Sequence, residues 1–205
     1  RGIAENTIHT RLSYLRRLNK ITHMQITVPA NEAMDIKKPV SCDSPLLLPD
    51  HYRDMIYHPL THSIIDLQIA FGLTKLEAAC LMPLDHDLAA WPFLSVEANI
   101  AHNHRKRLVP ILSKPQREFL ENRRALVVDN PLYPNLTPDR KTILKLFDAE
   151  CAMANIASHT PFRKLYAENR LAVLLKQMSE TKAWQQLAGE MGFARPDKLR
   201  QRLGQ

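Results

Sequence analysis

Arginine and lysine are the residues of this chain whose placement could do chemistry. Residues 1–24 carry five of them against one glutamate, residues 101–124 seven against two carboxylates, and residues 160–205 nine against four. The net charge over 205 residues is +7, so everything outside these stretches is net acidic. Cations gathered in separate segments suit a polyanion, because each neutralised phosphate releases counterions and adds affinity. Solvated helix faces rich in lysine give the same charge, so the pattern alone leaves both readings open.

The remaining reactive side chains point elsewhere. His102 and His104, with Asp85, His86 and Asp87 upstream, offer ligand types for a metal, but no third ligand has a defined spacing. Exposed turn histidines and no metal are expected. His58 and His62 stand one helical turn apart, yet Pro59 between them spoils that geometry. Cys80 and Cys151 lie in apolar helical contexts, where inert buried thiols are the default. With Cys42 they make three cysteines, too few and too scattered for a disulfide framework or a zinc knuckle. Trp184, Leu187 and Met191 read as core packing, and no cofactor is expected.

Helices must position these residues. Only five glycines, with many Leu, Ala, Gln, Lys and Arg, favour helix over a glycine-punctuated sandwich. Ile8, Leu12, Leu15 and Leu18 fall at helical spacing with Arg11, Arg16, Arg17 and Lys20 between them, which predicts an amphipathic helix over 4–21 with a basic outer face. Prolines 29, 39, 45 and 49 make 25–50 an extended linker. Helices are expected at 50–58 and 61–72, broken at Pro59, and at 73–81 with Thr74 as N-cap. Residues 91–100 and 107–111 read as antiparallel strands around a basic turn at 101–106. Further helices are expected at 114–127, 138–154, 161–178, 181–192 and 196–203, with a loop at 130–138. The fold class is mainly α with a small antiparallel sheet. No apolar run approaches the ~20 residues that span a bilayer, and no signal segment is visible, so an intracellular protein is expected. A start at Arg1 suggests that an upstream portion has been removed.

Four segments resemble the tyrosine recombinase (phage-type integrase) family. Phe71-Gly72-Leu73-Thr74-Lys75-Leu76-Glu77-Ala78 resembles a Phe-Gly-Leu-Arg motif followed by Glu-Ala. There Thr74 stands where the first of two phosphate-binding arginines belongs. Residues 101–110, ending Arg107-Leu108-Val109-Pro110, resemble the family's β-hairpin, and His102 aligns with its general-acid lysine. In Thr160-Pro161-Phe162-Arg163-Lys164-Leu165-Tyr166-Ala167, Arg163 matches the second arginine and Tyr166-Ala167 a structural pair. Thr160 occupies the place of a histidine. In the last segment Phe193 replaces the second histidine, Arg195 matches an arginine, Arg202 stands in the nucleophilic tyrosine's place, and Leu203-Gly204 match the motif's end.

The resemblance implies a recombinase-like catalytic domain over 51–205, a linker over 25–50, and in 1–24 the C-terminal helix of a helical core-binding domain, the two domains clamping DNA. An arginine offers no lone pair for attack on phosphorus, a threonine cannot grip phosphate bidentately, and phenylalanine can neither donate nor carry a proton. Loss of one such donor costs ~10²–10³ in rate. The chain is therefore expected not to be an enzyme. The expectation is a DNA-binding pseudoenzyme acting as a transcriptional regulator, or as an accessory recombination or replication factor on a bacterial mobile element. The residues expected on DNA are Arg11, Arg16, Arg105, Lys106, Arg107, Arg163, Lys164, Arg195, Arg200 and Arg202, although Arg163 has an alternative partner in Glu77. Expected partners are double-stranded DNA and a second copy or a related integrase, in the cytoplasm or nucleoid and away from membranes. The alternatives are an active recombinase completed in trans by a partner's tyrosine, or an interaction module that no longer binds DNA.

Overall fold

The computed structural model describes residues 5–23, 26–34, 52–83, 91–127, 140–157 and 160–204. The calls on Cys42, on Asp85, His86 and Asp87, on the loop 130–138 and on linker residues 35–50 lie outside them. The chain divides into two compact units, Arg1–Asp43 and Ser44–Gln205.

The first unit holds helix α1 (Glu5–Thr22) and a single 3-10 turn, Glu32–Met34. Residues 26–34 do not run free as a linker. They return along α1, where the Asn19 amide donates to Ile26 O at 2.7 Å and the Arg16 guanidinium to Asn31 Oδ1 at 2.8 Å. Arg16 also donates to Pro29 O. Ile26 N returns a bond to Asn19 Oδ1 at 3.3 Å, so the Asn19 amide both donates to and accepts from this segment.

In the second unit, α2 (Pro59–Phe71) is the central helix. The expected break at Pro59 is instead a start: residues 52–58 are turns and extended chain, and Pro59 sits in the first turn, where its missing N–H costs nothing. His58 is extended, as a residue before proline must be, and its Nδ1 accepts from Leu60 N at 3.2 Å. The helix ends at Gly72 with φ +63, and a Cβ there would lie 2.5 Å from Tyr166 Cδ1. Helix α3 (Lys75–Cys80) follows, capped by Thr74.

Strands β1 (Phe93–Val96) and β2 (Arg107–Pro110) pair antiparallel, Phe93 opposite Pro110 and Val96 opposite Arg107. Helices α4 (Lys114–Val127), α5 (Arg140–Met153), α6 (Arg163–Gln177), α7 (Glu180–Glu190) and α8 (Pro196–Leu203) complete the described elements. Helix α2 contacts α3, α4, α5 and α6, while α7 bridges α6, α8 and β2. Ile64, Leu67, Phe71, Leu120, Phe147, Phe162 and Leu174 fill the core, each worth about 1.5–3 kcal/mol in removed apolar surface. Arg123 is 1% exposed and caps the end of α3, donating to Ala79 O at 2.7 Å and Leu81 O at 3.0 Å. Burial pushes its guanidinium down to about 10.

Candidate phosphate-binding site

Three elements converge on the C-terminal end of α7. Its last carbonyls point outward with no helical partner, and cationic or amide donors are the natural caps. Arg107 Nε donates to Glu190 O at 3.0 Å, Arg163 Nη2 to Met191 O at 2.7 Å, and Asn103 Nδ2 to Gly192 O at 2.7 Å. The hairpin turn, β2 and the start of α6 are thus fastened to three consecutive residues. Gly192 makes this possible: its φ is +76, and a Cβ would lie 3.0 Å from His102 Cε1 and 3.2 Å from Arg107 Nη1.

Glu77 is the anionic centre of the cluster and is fully buried. Arg107 grips it with both terminal nitrogens, at 2.7 and 2.9 Å. His102 approaches with its backbone N–H at 3.0 Å and its Nδ1 at 3.1 Å. Thr74 N donates at 2.7 Å, and Glu77 N to Thr74 Oγ1 at 3.2 Å, closing a capping box. Burial alone would raise the Glu77 carboxyl. The hydrogen bonds from His102 and Arg107, the charge of Arg107 and the Thr74 N–H outweigh it, and hold the group far below the usual carboxylate range.

Arg163 opens α6, where the helix dipole favours an anion. Burial lowers its guanidinium to about 10. Glu77 pulls the other way, and the charges of Arg107 and Arg202 lower it further. Its Nε is buried without a hydrogen-bond partner. Its carbon Cζ lies 5.4 Å over the Phe193 ring, and the His102 ring stands 6.3 Å from Phe193. Arg163 thus feels two like charges against one carboxylate, and its Nε is an unused, buried donor.

The other expected DNA contacts divide three ways. Arg107 has only 6% of its side chain exposed and donates to both Glu77 oxygens and to Glu190 O, so it organises the site from within. Arg16 likewise serves its own unit through Pro29 and Asn31. Lys106, Lys164, Arg195 and Arg200 pair with Glu97, Glu168, Asp197 and Glu180, and Arg200 also lies 4.9 Å over the Trp184 ring. Surface pairs of this kind are worth ~0–1 kcal/mol, so a phosphate can replace the carboxylate. Arg11, Arg105 and Arg202 are exposed.

The positions that depart from the recombinase motifs have structural work. Thr74 caps α3, His102 holds Glu77, and Phe193 carries Arg163 on its face. Thr160 turns the chain into α6, its carbonyl accepting from Phe162 N at 2.9 Å. Arg163 finds its partner in Met191 O rather than in a direct bond to Glu77. Sequence reasoning missed Asn103, and also Glu190. The Glu190 carboxylate accepts from Tyr166 OH at 2.7 Å, Arg170 at 2.7 and 2.9 Å, and Gln186 Nε2 at 2.9 Å. Only the four-residue spacing of Gln186 and Glu190 hinted at that network. Among the described residues no three His, Cys, Asp or Glu side chains gather as for a metal. Burial pushes the Cys151 thiol up to about 11, which keeps it protonated and unreactive.

No protein-family model and no curated protein matches the sequence. Among solved structures, the chain is similar to the crystal structure of XerA recombinase, at 16% identity and a TM-score of 0.50, over 98% of this chain and 71% of that one. The chain has the tyrosine recombinase fold, mainly helical with a small antiparallel sheet. The expectation that it is not an enzyme is corrected by this similarity. The protein that shares the fold is a recombinase, and substitutions at motif positions do not show that activity is lacking. No helix among the described residues is long and apolar enough to cross a membrane.

Proposed function

We propose that the chain binds the backbone of double-stranded DNA through the Arg163 site and serves DNA recombination, with a second copy or a related integrase as its partner. The observation that carries this reading is Arg163. It is a largely buried cation that feels the charges of Arg107, Arg202 and Glu77, and its Nε has no partner. Regulation of transcription by a DNA-bound assembly is a finer form of the same reading. Arg105 on the hairpin turn and Arg202 on α8 extend the contact, and the exposed ion pairs of Lys106, Lys164, Arg195 and Arg200 exchange carboxylate for phosphate when DNA arrives. Arg11 adds a cation on the first unit.

Titration of a labelled random-sequence duplex at several salt concentrations tests this. Affinity should fall linearly on a log–log plot against salt. Arg163→Glu should weaken binding by more than about tenfold, the worth of one charge-assisted contact. Salt-independent binding, or none near physiological salt, would remove the proposal. A recombinase whose tyrosine comes from a partner subunit is a second reading, favoured by the shared fold. It requires a covalent protein–DNA adduct on a nicked suicide substrate when chain and partner are mixed.

A further inference from the structure

The turn between β1 and β2 keeps its shape through bonds that leave it. Ala101 N donates to Glu97 O and His104 N to Ala101 O, each at 3.0 Å, which folds the chain back on itself. That path puts His104 at a φ of +55, a left-handed backbone that a residue with a Cβ keeps only when its surroundings hold it there. Two anchors do so. His102 N donates to Glu77 Oε1 at 3.0 Å, and the Asn103 side chain spans the gap to the segment after α7.

Both ends of the Asn103 amide are used. Nδ2 donates to Gly192 O at 2.7 Å, while Oδ1 accepts from Arg105 N at 3.1 Å. One half-buried side chain thereby fastens the backbone of Arg105 to Gly192. Gly192 lies between the two residues that hold Arg163. Met191 O accepts from Arg163 Nη2 at 2.7 Å, and the Phe193 ring lies 5.4 Å from Arg163 Cζ. A connected path therefore runs from Arg105 through Asn103 and three consecutive residues to Arg163. Lys106, next along the turn, is paired instead with Glu97 at 2.7 Å.

We propose that Asn103 is a positioning residue: it sets the exposed cation Arg105 at a fixed spacing from Arg163, so that the two grip the DNA backbone as one unit. The inference rests on the proposed DNA contact at Arg163 and specifies what fixes its reach. Two contacts held at the spacing of their targets bind without the entropic cost of ordering one of them, and cutting the link restores that cost. The link needs an amide that donates at one end and accepts at the other. Alanine does neither. Serine still offers an acceptor to Arg105 N, but its hydroxyl stops one bond short of Gly192 O.

A double-mutant cycle on duplex affinity tests the coupling. In the wild-type background Arg105→Ala should weaken binding about tenfold, the worth of one charge-assisted contact. In the Asn103→Ala background the same change should cost about threefold or less, because a loosened Arg105 must be ordered on binding. Asn103→Ser should behave like Asn103→Ala, and it carries the test should the alanine variant not fold. Arg11→Ala, on the first unit, should cost the same factor in every background, which makes the coupling specific to the turn. Equal costs of Arg105→Ala in the wild-type and Asn103→Ser backgrounds, or wild-type affinity in Asn103→Ser, overturn the positioning role and leave the phosphate contact standing. Absence of duplex binding by the wild type overturns both.

Discussion

Replacing Glu77 by alanine is expected to unfasten the whole site. Five donor contacts reach this fully buried carboxylate: two from Arg107, two from His102 and one from Thr74. Without it, Arg107 keeps a full charge with 6% of its side chain exposed and one backbone carbonyl as partner. An uncompensated buried charge costs about 3–5 kcal/mol, and loss of the capping box adds about 1 kcal/mol. At about 2–4 °C per kcal/mol for a unit of this size, the melting temperature should drop by roughly 8–24 °C, read by calorimetry or circular dichroism. The pH dependence has a definite sign. The folded Glu77 carboxyl lies below its unfolded value. Its stabilisation is therefore complete above the unfolded pKa of about 4.3 and is lost as pH falls below that. Glu77→Gln cannot lose it, so the gap between wild type and this variant should narrow under acid. A Glu77→Leu/Arg107→Leu double variant should melt above either single one, because a removed pair costs less than a broken pair. A Glu77→Ala chain melting within about 2 °C of wild type at neutral pH would refute the assignment of Glu77 as the site's centre.

Two further outcomes are expected. Gly72→Ala must place its Cβ 2.5 Å from the Tyr166 ring at a φ of +63, and should destabilise by more than the ~1 kcal/mol of a left-handed alanine alone, measured by urea unfolding. Arg105→Ala and Arg202→Ala should each reduce the salt slope of duplex binding by about 1 without lowering the melting temperature, whereas Arg16→Ala should leave the slope unchanged because its guanidinium is engaged by Pro29 and Asn31.

The helices were legible because their apolar residues recur at 3.6-residue spacing, as in α1, α4 and α7, and because Thr74 announces the start of α3. The hairpin was legible from its two short apolar runs around a basic turn. Pro59 was misread because the same residue that breaks a helix interior also opens one, and only tertiary contacts distinguish the two. Here Glu150 Oε2 accepts from Tyr57 N at 2.8 Å and His58 N at 3.0 Å, which holds the preceding chain extended. The inward placement of Arg107 was hidden for a similar reason. A cation in a basic turn-and-strand segment looks solvent-facing until the alternation of β2 turns it inward onto Glu77. Contacts separated by 83 and 89 residues, such as Arg107 with Glu190 and Asn103 with Gly192, leave no local signature.

The departures from the recombinase motifs make physical sense as a set. Thr74 caps α3 and orients Glu77, and Glu77 then orients both Arg107 and His102. Phe193 supports Arg163 on its face, and the His102 ring stands 6.3 Å from it at a tilt, so Phe193 spaces the two groups. Cation–π support of this kind is worth about 0.5–2 kcal/mol, enough to hold one rotamer of an otherwise underbonded arginine. Each of these side chains supports a neighbour in the same network, and a change at one position alone would leave that neighbour without its partner. Phe193→His illustrates this. It would remove part of the aromatic platform beneath Arg163, so at a pH where the new imidazole is neutral it should weaken duplex binding. Equal or tighter binding by Phe193→His at that pH would mean that Arg163 is held by Met191 O alone, and that the ring beneath it contributes only bulk.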